Sequence, residues 1–257
     1  MPAKLGSDNP FSFLGFKVRD DLQEVYRRYR HWLSSPGEWW TGDEKVAMVK
    51  ETRGAWNCGL CARKKEALSP KSISDNHGPN PPLSHQVVES IHRIVTDPSR
   101  LSEQWLRELK QGGLNYPEIV ELIGVVTTGI ANDYLFWGLG AEPPVLPNPQ
   151  SGKPALGESQ ESSFHTAWVP TIPPEKAVGK LKAFYVAASN PMGGVAHIMQ
   201  SLSLAPETLL AFYALASVIY LPPGKVLNPG AETGRAITRP QIELLAATVS
   251  AANACQY

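Results

Sequence analysis

Apolar residues along this chain recur three and four positions apart, the spacing of one helix face, and no stretch alternates apolar with polar as a half-buried strand does. The pattern predicts an all-α protein. Leu22, Val25, Tyr26, Tyr29 and Leu33 mark a first helix over 20–33, with Arg27, Arg28 and Arg30 on a solvated face. A second helix starts at Thr41 or Asp43 and runs through Val46, Ala47, Val49 and Ala55. It passes Trp56-Asn57-Cys58-Gly59-Leu60-Cys61 and continues to Leu68. Further helices are expected over 83–95, 101–109, 116–139, 175–189, 195–202 and 206–219. The last begins at 239, with Thr238 as N-cap and Pro240 near the first helical position. Stretches rich in Ser, Asn, Gly and Pro at 69–82 and 221–238 read as loops. Residues 1–18 read as an irregular arm that clamps the body through Phe11, Phe13, Leu14 and Phe16.

The most apolar stretch, 119–140, carries Glu121, Asn132 and Asp133, which are costly in lipid, so a buried core helix is expected rather than a membrane span. Eight prolines between 141 and 174 exclude a regular element there. The chain thus divides into 1–140, a linker at 141–174, and 175–257. The two sides share an outline: an aromatic-bearing helix, a Pro/Gly loop, then a helix ending at Asn57-Cys58 or at Asn253-Ala254-Cys255. This reads as an internal repeat.

Composition narrows the partners. Lys+Arg and Asp+Glu are both 24 in 257 residues, and zero net charge argues against a nucleic-acid or anionic-membrane partner. Residues 1–10 hold no apolar signal core, so a cytoplasmic protein is expected. Three cysteines, an odd count, fit thiol chemistry better than a disulfide scaffold.

Cys58 and Cys61 share one face at i,i+3, and Asn57 offers an N-cap that would restart the helix and put Cys58 in its first turn. A helix N-terminus stabilises a thiolate, the form that attacks peroxides and disulfides. Lys65, at i+4 from Cys61, would favour it further. Two plainer readings stay open: a pair of buried structural cysteines, or half a zinc site that no second C-x-x-C or paired His completes. No metal and no other cofactor is therefore expected. Glu44 and Glu51 lie 58 − 44 = 14 and 58 − 51 = 7 residues before Cys58 and offer a proton relay from its helix face. His85 and His92 on one helix, and His197 on another, each read as a capped or core-edge residue.

Taken together, these residues resemble the alkylhydroperoxidase D-like / carboxymuconolactone decarboxylase superfamily in a tandem two-repeat form. Its redox branch carries a Glu, eleven residues, Cys-x-x-Cys and, four residues after the second Cys, a His. Glu243 and Cys255 have that first spacing, since 255 − 243 = 12 leaves eleven between, and the run 250–257 looks like the family's approach to its motif. In the first half the Glu position is Val46 and the His position is Lys65, a poor proton shuttle at neutral pH. The resemblance implies an attacking Cys61, a resolving Cys58, and a Cys255 that resolves for a Cys or selenocysteine expected at position 258. It also implies a homo-oligomeric helical bundle that reduces a hydroperoxide or disulfide and is recharged by a thiol reductant protein. A lactone decarboxylase-like lyase without use of the dithiol, and a non-catalytic helical repeat protein, are the alternatives.

Overall fold

The computed structural model describes residues 10–156, 167–189, 194–226, 228, 230–253 and 255; these are all-helical, with no strand among them. The first half holds α1 (Asp20–Ser34), α2 (Gly42–Ala55), α3 (Gly59–Glu66), α4 (His85–Thr96), α5 (Glu103–Gln111) and α6 (Tyr116–Gly138). The second holds α7 (Gly179–Ala188), α8 (His197–Gln200), α9 (Pro206–Ile219), α10 (Pro223–Val226) and α11 (Arg239–Ala252).

Helix starts follow capping chemistry. Thr41 and Glu44 form a reciprocal box: Thr41 Oγ1 accepts from the Glu44 amide at 3.2 Å, and Glu44 Oε2 accepts from the Thr41 amide at 2.8 Å. Asn115 and Glu118 form the same box at α6. Ser84 and Ser102 cap α4 and α5 by accepting from Val87 and Trp105. Thr238 is the N-cap of α11, as its sequence predicts.

Three expected helices differ. The continuous helix across Cys58 is two, α2 and α3, separated at 56–58, and Cys58 rather than Asn57 is the N-cap of α3. The helix expected over 175–189 is a single turn, Pro174–Lys176, followed by α7, because the backbone is extended at Ala177 and Val178 and α7 opens on Gly179 at φ +53°, a conformation glycine takes readily. The helix expected over 195–202 shortens to α8, with turns after it.

The core is organised on α6, which packs against α2, α4 and α9. It is long and apolar enough to cross a membrane, yet 67% of its most apolar stretch is buried inside the protein. Its buried polar residues are partly paired: Glu121 Oε2 accepts from the Trp39 amide and Asn132 Nδ2 donates to Asp133, while Glu121 Oε1 and Asn132 Oδ1 have no partner among the described residues. Asp133 pairs with Arg53 of α2 through two bonds of 2.7 and 2.8 Å, and Arg53 also donates to Pro144 O. Phe11 from the arm is buried and stacks on Phe136 at 5.3 Å, with Tyr26 edge-on to both. Phe13 and Leu14 pack beside it, but Phe16 is 66% exposed and takes no part in the clamp.

A second, smaller core gathers α7, α8 and α9 around Leu181, Tyr185, Met199 and Leu209. α9 also packs on α1 and α6, so it belongs to both cores. α11 buries Ile242 alone and leaves Leu244, Leu245 and Val249 exposed.

Candidate functional site

The site is built where α2 stops. The Cys58 amide donates back to Ala55 O at 3.1 Å, and Ala62 N donates to Cys58 O, so the chain turns and restarts as α3. This places Cys58 at the N-cap and Cys61 in the first turn, where aligned peptide dipoles favour negative charge. The far end of α3 is held by Arg100, which donates to the carbonyls of Lys64, Lys65 and Ala67 while its Nε grips Asp97. α3 is thereby fixed against the end of α4.

Two histidines converge on the sulfurs. Cys58 Sγ lies 3.3 Å and Cys61 Sγ 3.4 Å from His77 Nε2, and Cys61 Sγ lies 3.1 Å from His92 Nδ1. The imidazoles stack, centroids 3.7 Å apart at 29°. Each turns its other nitrogen to a carboxylate: His77 Nδ1 to Glu89 at 2.8 Å, and His92 Nε2 to Glu51 at 2.7 Å. Glu89 also accepts from the His77 amide and faces Lys64 Nζ at 3.2 Å, while Glu51 accepts from Asn80. These bonds pin the loop at 69–82, which carries His77, to α2 and α4.

Burial sets the protonation. Cys61 is 4% exposed, and its desolvation pushes the thiol up, with the neighbouring Cys58 adding to the rise and a bond from Thr96 opposing it. Burial holds His77 below the usual imidazole range, and the nearby His92 reinforces this against the pull of Glu89. Glu51 and Glu89 are held below the ordinary carboxylate range although burial opposes it, because Asn80 and His92 bond the first and His77 the second. The site therefore rests with protonated Cys61 beside a neutral His77, flanked by two ionised carboxylates.

Of the residues singled out in the sequence, Cys58, Cys61 and Glu51 come together here. Glu44 is committed to the α2 cap. Lys65, expected to favour the thiolate, is exposed; Lys64 makes the ion pair at the site instead. His85 and His197 are exposed. Glu243, expected as a proton relay, is bound to Arg239 and accepts from Tyr220 Oη at 2.8 Å, and Cys255 is free and exposed. Two residues were not anticipated, His77 and Glu89, and His92, read as a core-edge residue, is instead a partner of Cys61. The expectation that no His pair completes the two cysteines is corrected, since Cys58, Cys61, His77 and His92 bring their donor atoms within 4.8 Å of one another.

Two openings reach the sulfurs. A cavity of about 350 Å³ is lined by Cys61, His77, His92, Lys64 and Ile73. One of about 440 Å³ is lined by Cys58, Cys61, Trp56 and Val95, together with Ala252 and Asn253 at the end of α11. No protein-family model matches the chain, and no curated protein or solved structure is significantly similar to it.

Proposed function

We propose that the chain is a thiol-dependent oxidoreductase that reduces hydroperoxides or disulfides through Cys58 and Cys61, in the manner of the alkylhydroperoxidase D-like family. One observation carries the reading: each thiol lies within hydrogen-bonding distance of an imidazole whose other nitrogen is held by a carboxylate. That arrangement is a base with its orienting group, the requirement for activating a nucleophile whose own proton is held tightly. A feature of the two halves supports the tandem form. α2 and α11 each have fourteen residues and a threonine N-cap, and each is followed at the same distance by a cysteine, since 58 − 41 = 17 and 255 − 238 = 17.

Cys61 passes its proton to His92 Nδ1, which Glu51 orients. The thiolate attacks the terminal peroxide oxygen; an S–O bond forms, the O–O bond breaks, and the alkoxide leaves as alcohol with the proton from His92. Cys58, deprotonated by His77, then attacks the Cys61 sulfur. The S–S bond forms, the S–O bond breaks, and the oxygen leaves as water. A thiol reductant protein returns two electrons and two protons to the disulfide.

The test is the reduced, metal-free chain mixed with an organic hydroperoxide. Two thiols should be lost for each peroxide consumed, with a Cys58–Cys61 disulfide in the peptide map. Cys61→Ser should abolish consumption, and Cys58→Ser should leave a sulfenic acid trapped by dimedone. A thiol titre unchanged by excess peroxide defeats the reading.

A further inference from the structure

A proton relay needs one imidazole at the attacking sulfur; this site has two, stacked, aimed at two sulfurs. The three sulfur–nitrogen contacts are 3.3, 3.4 and 3.1 Å, and the four donor atoms lie within 4.8 Å of one another. A tetrahedral ion with sulfur at about 2.3 Å and nitrogen at about 2.0–2.1 Å has sulfur–nitrogen edges of about 3.5 Å. Each histidine presents a different nitrogen to the sulfurs, Nε2 from His77 and Nδ1 from His92, and each gives the remaining nitrogen to a carboxylate. That is how a metal-ligating histidine is oriented, its N–H on a carboxylate and its lone pair on the ion. Two thiolates and two neutral imidazoles form the donor set of closed zinc sites. The cluster draws on three separate pieces of chain, α3, the loop at 69–82 and α4, which a bound ion would tie together.

We propose that Cys58, Cys61, His77 and His92 bind one zinc-class divalent cation, with Glu89 and Glu51 as the carboxylates that position the two histidines, and that this ion guards the dithiol. The guarding role rests on the thiol chemistry proposed above; the binding site does not. Two thiolates balance the charge of the ion, and Lys64 offsets Glu89 beside it. While both sulfurs are ligands, the ion draws on their lone pairs and slows their attack on oxidants and alkylating agents. Oxidation by a hydroperoxide converts the two thiolates to one disulfide: the S–S bond forms, two electrons break the O–O bond, two protons come from solvent, and alcohol and water leave. The ion then keeps only two ligands and is released.

The experiment uses the full chain, reduced and stripped of metal, titrated with Co²⁺ and then Zn²⁺. One Co²⁺ per chain is expected, with the intense visible absorption of tetrahedral cobalt and a thiolate-to-cobalt charge-transfer band, both removed by Zn²⁺. His92→Ala should lose the tetrahedral spectrum, and Glu89→Gln should weaken zinc binding by about 10–100-fold. A readout needing no variant is alkylation: zinc should protect Cys58 and Cys61 and leave the exposed Cys255 labelled at its usual rate. Added hydroperoxide should release one zinc per disulfide formed. Absence of binding, an octahedral cobalt spectrum, or equal labelling of all three cysteines overturns the site. Peroxide oxidation of the metal-free chain in that case leaves the thiol reading standing alone. Zinc bound but never released by peroxide overturns the guarding role and leaves the site, and the metal-free chain alone then decides the thiol reading.

Discussion

Glu44 and Glu51 sit seven residues apart on α2 and have opposite tasks. Glu44 closes the helix N-terminus with Thr41, and Glu51 reaches across to His92. Glu44→Gln should cost about 1 kcal/mol or less of stability, as a gln can still close the box, and leave dithiol oxidation by peroxide within about twofold of wild type. Glu51→Gln should fold normally and slow that oxidation by about 10–100-fold, because the amide brings no charge to support the His92 imidazolium and, able to donate as well as accept, no longer fixes its tautomer; rapid-mixing thiol titration reads both. The sequence spacing places both glutamates in register with Cys58 and does not choose between them, although the Thr-x-x-Glu box that removes Glu44 is visible in it. His77 carries no such signal: it lies in a loop without periodicity, and the 92 − 77 = 15 step to His92 falls outside the short His spacing of familiar zinc motifs. A different carboxylate, packed near Glu121 and Lys45, contributes to pH dependence. Burial pushes Glu38 up to about 8, the charge of Glu121 adds to this, and Glu38 Oε2 is buried without a partner. Its folded value exceeds its unfolded one, so its contribution is fully present below the unfolded value of 4.5 and is lost as pH rises through 8. Glu38→Gln should therefore lose less stability than wild type between those limits. The difference should be about 1–2 kcal/mol in urea melts, discounted for the water that still reaches the group.

At the scale of elements, periodicity located nearly every helix because burial follows it: Val25, Tyr26, Tyr29 and Leu33 are the buried stripe of α1, and Val87, Val88, Ile91, Ile94 and Val95 that of α4. The restart that Asn57 suggests falls one residue later, at Cys58, and the packing around the break is tertiary. Trp56 turns out of α2 to pack edge-on against Tyr134 and Trp137 of α6, at 5.7 and 5.9 Å, and no proline precedes Cys58 to announce it. The crossing of α6 with α9 is similarly silent in the pattern. A Cβ on Gly124 would lie 2.3 Å from Thr208 Cγ2, so the two helices meet as closely as they do only because that position has no side chain. Gly124→Val should separate them and cost about 1–3 kcal/mol through overpacking. Urea unfolding should show a lower midpoint with the slope unchanged; a midpoint at or above the wild-type value would mean that α9 yields without loss.

At the scale of the whole molecule, the two halves pack against each other through α9. Residues 141–156 of the stretch expected as a linker are laid along the first half: Arg30 and Arg53 donate to Val145 O and Pro144 O, and the amides of Gln150, Ala155 and Leu156 donate to the carbonyls of Ser34, Gly37 and Glu38. α9 joins the two cores, and the end of α11 helps to line the larger opening above Cys58 and Cys61. Proline content points to no regular element over 141–174, and the described residues 141–156 and 167–173 hold none, but where such a segment lies is decided by the carbonyls it finds. In this arrangement the second half shapes access to the first half's thiols, whatever chemistry Glu243 and Cys255 have. Ala252, exposed on α11 and facing that opening of about 440 Å³, gives a direct test. Ala252→Trp should narrow it without touching either sulfur's partners. Oxidation of the metal-free dithiol by a bulky aromatic hydroperoxide should slow by about tenfold or more, while hydrogen peroxide, small enough to pass, should stay within about twofold. Equal rates with both oxidants would assign entry to the other cavity, between His77 and Ile73, where Lys64 and the loop at 69–82 would then set the substrate's size.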